Sequence, residues 1–218
     1  MATADPVHVW TLYRDTRQRI VDLMTEDAWE VNVPACPLWS VRDVVAHMAA
    51  VAEDWAAGTL TVPPSDAETA AQIARFDGYD TTDVLAAWDA AAVQLHHLAE
   101  RGIAPPLGDI VVHEHDLRGA LGASGARTDA AVMQASDQLL NILQTPVPLR
   151  VTVEDGDYRT GPQDGSEIAL RTTRFEVLRW RTGRRSRGQL AAMDWSADPA
   201  PVLEHLYLFG PAEADLTE

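Results

Sequence analysis

The sequence D-I-V-V-H-E-H-D spans Asp109–Asp116 and leads into an apolar pattern that continues through Leu117 and Leu121. Residues four apart share one face of an α-helix, so Asp109 and His113 are predicted to lie side by side. A carboxylate and an imidazole among apolar residues are costly to bury unless they are paired or bind a cation. The segment therefore predicts a helix with a metal-binding pair or, alternatively, a solvated acidic face with one exposed histidine.

A second histidine comes from an earlier helix. Ser40 precedes an apolar run and Asp43 follows three residues later, which is close to the capping box that begins many helices. His47 falls inside the apolar stripe of that predicted helix, where a single histidine is more often a hydrogen-bonded core residue. Together with Asp109 and His113, however, it completes two imidazoles and one carboxylate, the ligand set of open catalytic zinc sites.

Composition and charge narrow the functional classes. The chain has 218 residues, 46% of them hydrophobic, which is enough for one large domain or two small ones. Its 17 Lys and Arg against 33 Asp and Glu give a formal net charge of −16, so nucleic acid is not an expected partner. There is no leader-like N-terminus and no long uncharged apolar run, so neither export nor membrane insertion is expected. The single cysteine permits no internal disulfide, which agrees with a cytoplasmic location.

The first two thirds of the chain are predicted to be helical. Four long helices with short to moderate connections favour a four-helix bundle, in which facing helices supply metal ligands. With one further helix, the predicted spans are about Val7–Asp27, Val41–Ala57, Thr81 or Thr82 to Gly102, Asp109–Leu121 and Asp129–Gln144.

Three features lie between or beside these helices. The polar stretch Thr59–Gly78 has room for one short helix and is a candidate cover for an active site. Cys36 is interpreted as a small packed thiol, with an added ligand near His47 as the alternative. His96 and His97 lie near a helix C-terminus, where a cationic side chain suits the helix dipole, so both are expected at the surface.

The hydrophobic period changes near Pro148. Leu149–Val153 alternates apolar and polar residues, and Asp155-Gly156 is typical of a hairpin turn. The remainder therefore predicts a small α+β unit, with domains at 1–145 and 146–218. Its further predicted elements are strands Tyr158–Thr160, Glu167–Arg171 and Gly188–Asp194, and helices from Thr172 or Thr173 to Trp180 and from Pro199 to Leu206.

Four motifs carry a family resemblance. They are V-P-A-C-P-L-W-S-V-R-D-V-V-A-H (33–47), D-I-V-V-H-E-H-D-L-R-G-A-L-G (109–122), F-E-V-L-R-W-R-T-G-R-R-S-R-G-Q-L (175–190) and L-Y-L-F-G (206–210). Together they resemble the mycothiol-dependent maleylpyruvate isomerase family. The resemblance implies an α+β fold with a DinB-like metal-binding four-helix bundle, followed by a small α/β sandwich related to sterol-carrier folds.

The resemblance also implies a set of metal ligands. The family's metal is held by a histidine of the second helix and by a Glu-x-x-x-His pair, which fall on His47, Asp109 and His113. Asp109 departs from the family pattern because its side chain is one methylene shorter than that of glutamate. Either the helix shifts inward or the metal is held more weakly, through water.

The expected cofactors are a divalent metal, with zinc favoured, and mycothiol as a thiol cosubstrate. A coordinated thiol loses its proton near neutral pH, so no protein cysteine is needed as nucleophile. Addition of the thiolate to an activated double bond permits rotation, and elimination returns the thiol. Asp116 or Glu114 is a candidate for proton transfer; alternatively, Asp116 holds His113 in place.

The basic segment Gly183–Arg187 stands out in an acidic chain. Arg184 is a candidate catalytic residue that would attract a small anionic substrate. The alternative is that the segment only balances the surrounding acidic surface.

Three classes of function agree with the sequence. The first is an isomerase or thiol transferase that uses a metal and a low-molecular-weight thiol. The second is a thiol-independent, metal-dependent hydrolase or lyase on the same bundle. The third is a binding protein without catalytic activity.

Overall fold

A computed structural model describes residues 4–218, which form eight α-helices and four β-strands. Two compact units divide the chain between Ser124 and Gly125. The first unit is helical, and the second carries the sheet together with the remaining helices. The predicted α+β class with two domains is confirmed.

The first unit is built around four long helices. Helix α2 packs on α4 and α5, while α1 packs on α5 and α4, so the four form a bundle with the shorter α3 against α2. The helices are α1 (Pro6–Leu23), α2 (Val41–Ala57), α3 (Asp66–Ala74), α4 (Thr81–Glu100) and α5 (Leu107–Leu121).

Helix α2 is defined at both ends by its sequence. The Ser40 hydroxyl accepts from the Asp43 amide at 3.2 Å, and the Asp43 carboxylate accepts from the Ser40 amide at 2.8 Å. This is the predicted capping box, which satisfies two backbone donors that would otherwise lack partners. Gly58 ends the helix with φ 70°, a left-handed conformation that glycine adopts without strain.

The second unit is a four-stranded sheet with helices. Strand β1 lies inside the sheet, antiparallel to β2 and parallel to β3, and β4 pairs with β3 at the edge. Alternate β1 residues point into a core shared with α6 and α7. The elements are α6 (Ala130–Asn141), β1 (Leu149–Val153), β2 (Gly156–Thr160), β3 (Ile168–Arg171), α7 (Arg174–Arg181), α8 (Arg187–Ala191) and β4 (Asp194–Trp195).

The units divide about one helix earlier than the proline-bounded boundary at 145/146 that the sequence predicted. Helix α6 packs on α7 and contributes Leu140 to the core of the sheet. Periodicity along α6 resembles that of the bundle helices, so it does not reveal which core the helix joins.

Several element bounds also differ from prediction. The strand predicted over Gly188–Asp194 is wrong, because Ser186 caps the short helix α8 and only Asp194–Trp195 pairs with β3. The helix predicted over Pro199–Leu206 is wrong as well, since only a 3-10 turn forms, at Leu203–His205.

No helix within residues 4–218 is long and apolar enough to cross a bilayer.

Candidate metal centre

Three side chains from two facing helices meet inside the first unit. His47 comes from α2, and Asp109 and His113 come from α5. The Oδ1 atom of Asp109 lies 3.4 Å from Nε2 of His47 and 3.7 Å from Nε2 of His113. One potential ligand atom from each residue lies within 4.8 Å of the other two. The structure thus brings together the three residues that the sequence selected as ligands.

The spacing of these atoms suits a small cation. Direct N–H···O hydrogen bonds measure about 2.7–3.2 Å, so the two contacts to Asp109 are too long for them. Ligand atoms about 2.0–2.2 Å from a tetrahedral zinc are themselves about 3.3–3.6 Å apart. Two imidazole nitrogens and one carboxylate oxygen are donors that zinc accepts. The residues present therefore fit a divalent metal, with Asp109 at the more open side of the cluster because 27% of its side chain is exposed.

A buried carboxylate orients one of the imidazoles. Oδ2 of Asp116 lies 3.0 Å from Nδ1 of His113, and Asp116 is 1% exposed. An ionised carboxylate can only accept, so Nδ1 of His113 carries the proton and donates it. That tautomer leaves the Nε2 lone pair on the side of Asp109 and His47, as a metal ligand requires.

A compact loop packs against the same cluster. The loop 33–39 is closed by a hydrogen bond from the Val33 amide to the Trp39 carbonyl oxygen, at 2.9 Å. The Trp39 ring centroid lies 5.2 Å from that of His47 and 6.3 Å from that of His113. Trp39 thereby forms an apolar wall beside both imidazoles, a role that sequence analysis missed. Its only signal is its position directly before Ser40, the cap of α2.

The same loop brings the sole cysteine to the site. Sγ of Cys36 lies 3.7 Å from Oδ2 of Asp116, within the range of a weak thiol hydrogen bond. Cys36, His113 and Asp116 also form a second group of potential ligands within 4.8 Å of one another. The cysteine lies beside Asp116, the carboxylate that bonds to Nδ1 of His113.

Glu114 faces away from this cluster. It is fully buried and accepts two hydrogen bonds of 2.8 Å from Arg19 of α1. Arg118, one turn later on α5, donates to the same carboxylate at 2.9 and 3.0 Å. This network joins α5 to α1 and gives Glu114 a structural function, which weakens its candidacy for proton transfer.

The basic segment belongs to the second unit and is largely engaged there. Arg185 donates to Glu176 at 2.7 and 2.8 Å, and Arg187 pairs with Glu204 at 2.5 Å. Arg184 donates to the carbonyl oxygen of Thr182 at 2.6 Å. For Arg185 and Arg187 these ion pairs favour the charge-balance alternative.

The two histidines near the end of α4 lie outside the cluster. The side chain of His96 is 43% exposed, and its ring stacks on Trp10 with centroids 5.2 Å apart. This agrees with the surface position expected from the sequence.

Comparisons with known proteins point to one family. The solved structures similar to this chain include a crystal structure of the mycothiol-dependent maleylpyruvate isomerase, at 16% identity with a TM-score of 0.55, and one of its variants with a histidine replaced by alanine, at 16% and 0.54. Each alignment covers 88% of this chain and 92% of the other, a likeness that concerns the fold.

No curated protein matches the sequence. The sequence model of the mycothiol maleylpyruvate isomerase N-terminal domain matches residues 10–138, more than half of the chain. The chain therefore belongs to the mycothiol maleylpyruvate isomerase family.

Proposed function

We propose that this protein is a metal-dependent isomerase or thiol transferase that uses a low-molecular-weight thiol, mycothiol by analogy with its family. His47, Asp109 and His113 would hold a divalent cation, with zinc the expected ion. The observation that carries the proposal is the convergence of two Nε2 atoms and one carboxylate oxygen inside the bundle. Family membership supports the choice of a thiol over water as the reacting partner.

The cation would lower the pKa of a coordinated thiol, so that a thiolate is available at neutral pH. The surrounding side chains supply positioning. Asp116 holds His113 in the tautomer that presents Nε2, and the Trp39 ring covers one side of both imidazoles. Water is thereby kept from that side, while the exposed edge of Asp109 leaves a direction from which a thiol can approach.

The reaction proposed for a cis–trans substrate is a reversible addition. The thiolate sulfur adds to one carbon of an activated double bond, and the electron pair moves onto the activating carbonyl group of the substrate. Rotation about the resulting single bond precedes expulsion of the thiolate, which restores the double bond. No proton or oxidant is consumed. Because the thiolate of the cosubstrate is the nucleophile, the chain has to position the reactants but needs no nucleophilic cysteine of its own.

Two further residues receive roles in this proposal. Asp116 acts through His113 and is a positioning residue. Arg184 is proposed to attract the anionic substrate, because it lies in the densest basic segment of an acidic chain. Replacement of Arg184 by alanine should raise the KM for an anionic substrate more than it lowers kcat.

The test combines metal analysis with a thiol-dependence assay on the purified protein. Wild type should contain close to one divalent metal per chain and isomerise a cis-unsaturated keto acid only when mycothiol is present. His47→Ala and His113→Ala should lose both metal and turnover, because each removes one of three protein ligands. His96→Ala is the matched control, a half-exposed histidine outside the cluster that should leave both unchanged.

Two outcomes would contradict the proposal. Full metal occupancy in both ligand variants would remove the site assignment. If the protein instead catalysed a metal-dependent hydrolysis without any thiol, the assignment of the metal site would stand, but the proposed reaction would be wrong and the protein would be a hydrolase.

A further inference from the structure

A second group of potential metal ligands adjoins the cluster formed by His47, Asp109 and His113. It consists of the Cys36 thiol, the Asp116 carboxylate and the His113 imidazole, and one potential ligand atom from each lies within 4.8 Å of the other two. Sγ of Cys36 is 3.7 Å from Oδ2 of Asp116, and Nδ1 of His113 is 3.0 Å from the same oxygen. This cysteine triad (Cys36, His113 and Asp116) therefore offers a sulfur, an oxygen and a nitrogen donor around one point.

The loop 33–39 holds the cysteine in place. The Cys36 amide donates to the carbonyl oxygen of Val33 at 2.9 Å, and the Cys36 carbonyl oxygen accepts from the Trp39 amide at 2.8 Å. Asp116 is buried, as ligands of closed metal sites are, whereas Cys36 is partly exposed. An ion can therefore reach the triad from the cysteine side, and the fold has already ordered the ligand that it meets first.

The donors of the triad favour a cation that binds thiolates. Imidazole and carboxylate accept many divalent ions, but a thiolate selects copper(I), zinc and chemically similar ions. Around a tetrahedral zinc, a sulfur and an oxygen ligand lie about 3.5–3.7 Å apart. The separation of 3.7 Å between Cys36 and Asp116 matches this value. Nδ1 of His113 and Oδ2 of Asp116 would have to separate by only about 0.3 Å more to bind the same ion.

The His113 ring lies between two carboxylates, so each of its tautomers has an acceptor. Nδ1 lies 3.0 Å from Oδ2 of Asp116, and Nε2 lies 3.7 Å from Oδ1 of Asp109. A neutral imidazole has one proton, and only the nitrogen without it can bind a metal. A cation in the triad takes Nδ1 and leaves the proton on Nε2, facing Asp109. The cluster with His47 then loses one of its three donors.

We propose that the cysteine triad is a second, inhibitory metal site for a thiolate-binding cation of the copper(I), zinc and cadmium class. On binding, Cys36 releases its thiol proton to solvent, and His113 exchanges its ring proton from Nδ1 to Nε2. The ion bonds to Sγ, Oδ2 and Nδ1, and Nε2 no longer serves the first cluster. The site itself does not rest on the proposed function. Its inhibitory effect does, because that effect requires a metal at His47, Asp109 and His113.

The site is tested by titrating reduced, metal-depleted, full-length protein with cadmium and recording the thiolate-to-metal charge-transfer absorption. Cys36 is the only cysteine of the chain, so this absorption reports on the triad alone. Wild type should develop it with one cadmium ion per chain, and Cys36→Ser should not. His113→Ala and Asp116→Ala should each weaken cadmium binding by well over 100-fold, since even losses of residues behind a ligand reach about 10–100-fold.

The matched control is His47→Ala, which removes a buried histidine of the first cluster and should keep the absorption. Circular dichroism establishes that each variant has the helix content of wild type. No absorption in wild type would overturn the proposal. Cadmium affinity equal to that of wild type in folded His113→Ala or Asp116→Ala would overturn it as well, because the thiol would then bind cadmium without the triad.

A second arm tests the inhibitory effect on protein loaded with one zinc ion per chain. Cadmium should release that zinc and stop turnover in wild type, whereas Cys36→Ser should keep both at the same cadmium concentrations. Equal zinc release from the two proteins, or thiolate absorption with zinc still bound, would overturn the inhibitory role. If wild type took up no zinc at the first cluster, the proposed function would fail, but the absorption in His47→Ala would still establish the triad.

Discussion

Nδ1 of His113 donates to Oδ2 of Asp116 across 3.0 Å, one turn further along α5. The bond fixes the histidine ring and directs the basic nitrogen at the cluster formed with His47 and Asp109. Carboxylates in this position typically contribute about 10–100-fold to metal affinity without touching the metal.

Asp116→Asn should therefore weaken metal binding by about 10–100-fold. The amide can donate to Nδ1, which stabilises the tautomer with a proton on Nε2, where the metal requires a lone pair. Competition with a chelator of known affinity measures the change. Asp15→Asn, at a half-exposed residue of α1, is the control and should have no effect. Unchanged affinity in Asp116→Asn would mean that His113 is oriented by its packing alone.

Asp109 permits a sharper test of direct ligation. Asp109→Ala should weaken metal affinity by well over 100-fold if its oxygen is a ligand, since losses of residues behind a ligand stay within about 10–100-fold. Asp109→Glu should retain the metal, because the longer side chain can reach the same point. Elemental analysis and chelator competition on both variants decide whether Asp109 binds the metal directly. Unchanged affinity in Asp109→Ala would remove Asp109 from the site.

Local sequence patterns were sufficient for the helices of the bundle and for the pairing of Asp109 with His113. The capping residues Ser40 and Asp43 placed the start of α2, and the four-residue spacing of Asp109 and His113 placed both on one face of α5. These features depend on contacts within a single helix, which a sequence displays directly.

Features that depend on tertiary contacts were not predictable in the same way. Trp39 and Cys36 reach the site from a loop without periodicity, and the partner of Glu114 on α1 lies ninety-five residues earlier in the chain. The start of α8 is different, because Ser186 and Gln189 form an S-x-x-Q capping box that was present in the sequence and was overlooked.

The second unit offers a pH-dependent test. Burial raises the pKa of Tyr207 from 10 to about 12. The folded state then keeps a proton that the unfolded state loses, so this contribution to stability is complete below pH 10 and is lost as the pH rises towards 12. Wild type should lose stability over this interval relative to Tyr207→Phe, which cannot ionise. Urea unfolding below pH 10 and near pH 12 measures the difference. Tyr79→Phe, at an exposed tyrosine, should follow wild type, and parallel curves for wild type and Tyr207→Phe would contradict the assignment.

The buried network around Glu114 should be a major source of stability in the first unit. Glu114→Gln removes the negative charge that pairs with both Arg19 and Arg118, whose side chains are 25% and 13% exposed. Breaking a buried ion pair costs about 3–5 kcal/mol, and the partial exposure of Arg19 reduces this to about 2–3 kcal/mol. Urea unfolding of wild type and variant measures the loss.

The matched control for that change is Glu53→Gln. Glu53 also pairs with an arginine, Arg75, but its side chain is 36% exposed and that of Arg75 is 40% exposed. An exposed pair contributes about 0–1 kcal/mol, so this variant should unfold almost as wild type does. Metal content should be retained in Glu114→Gln, because the carboxylate faces α1 and not the imidazoles. Loss of metal with unchanged stability would contradict the structural function of Glu114 and make it a candidate for proton transfer again.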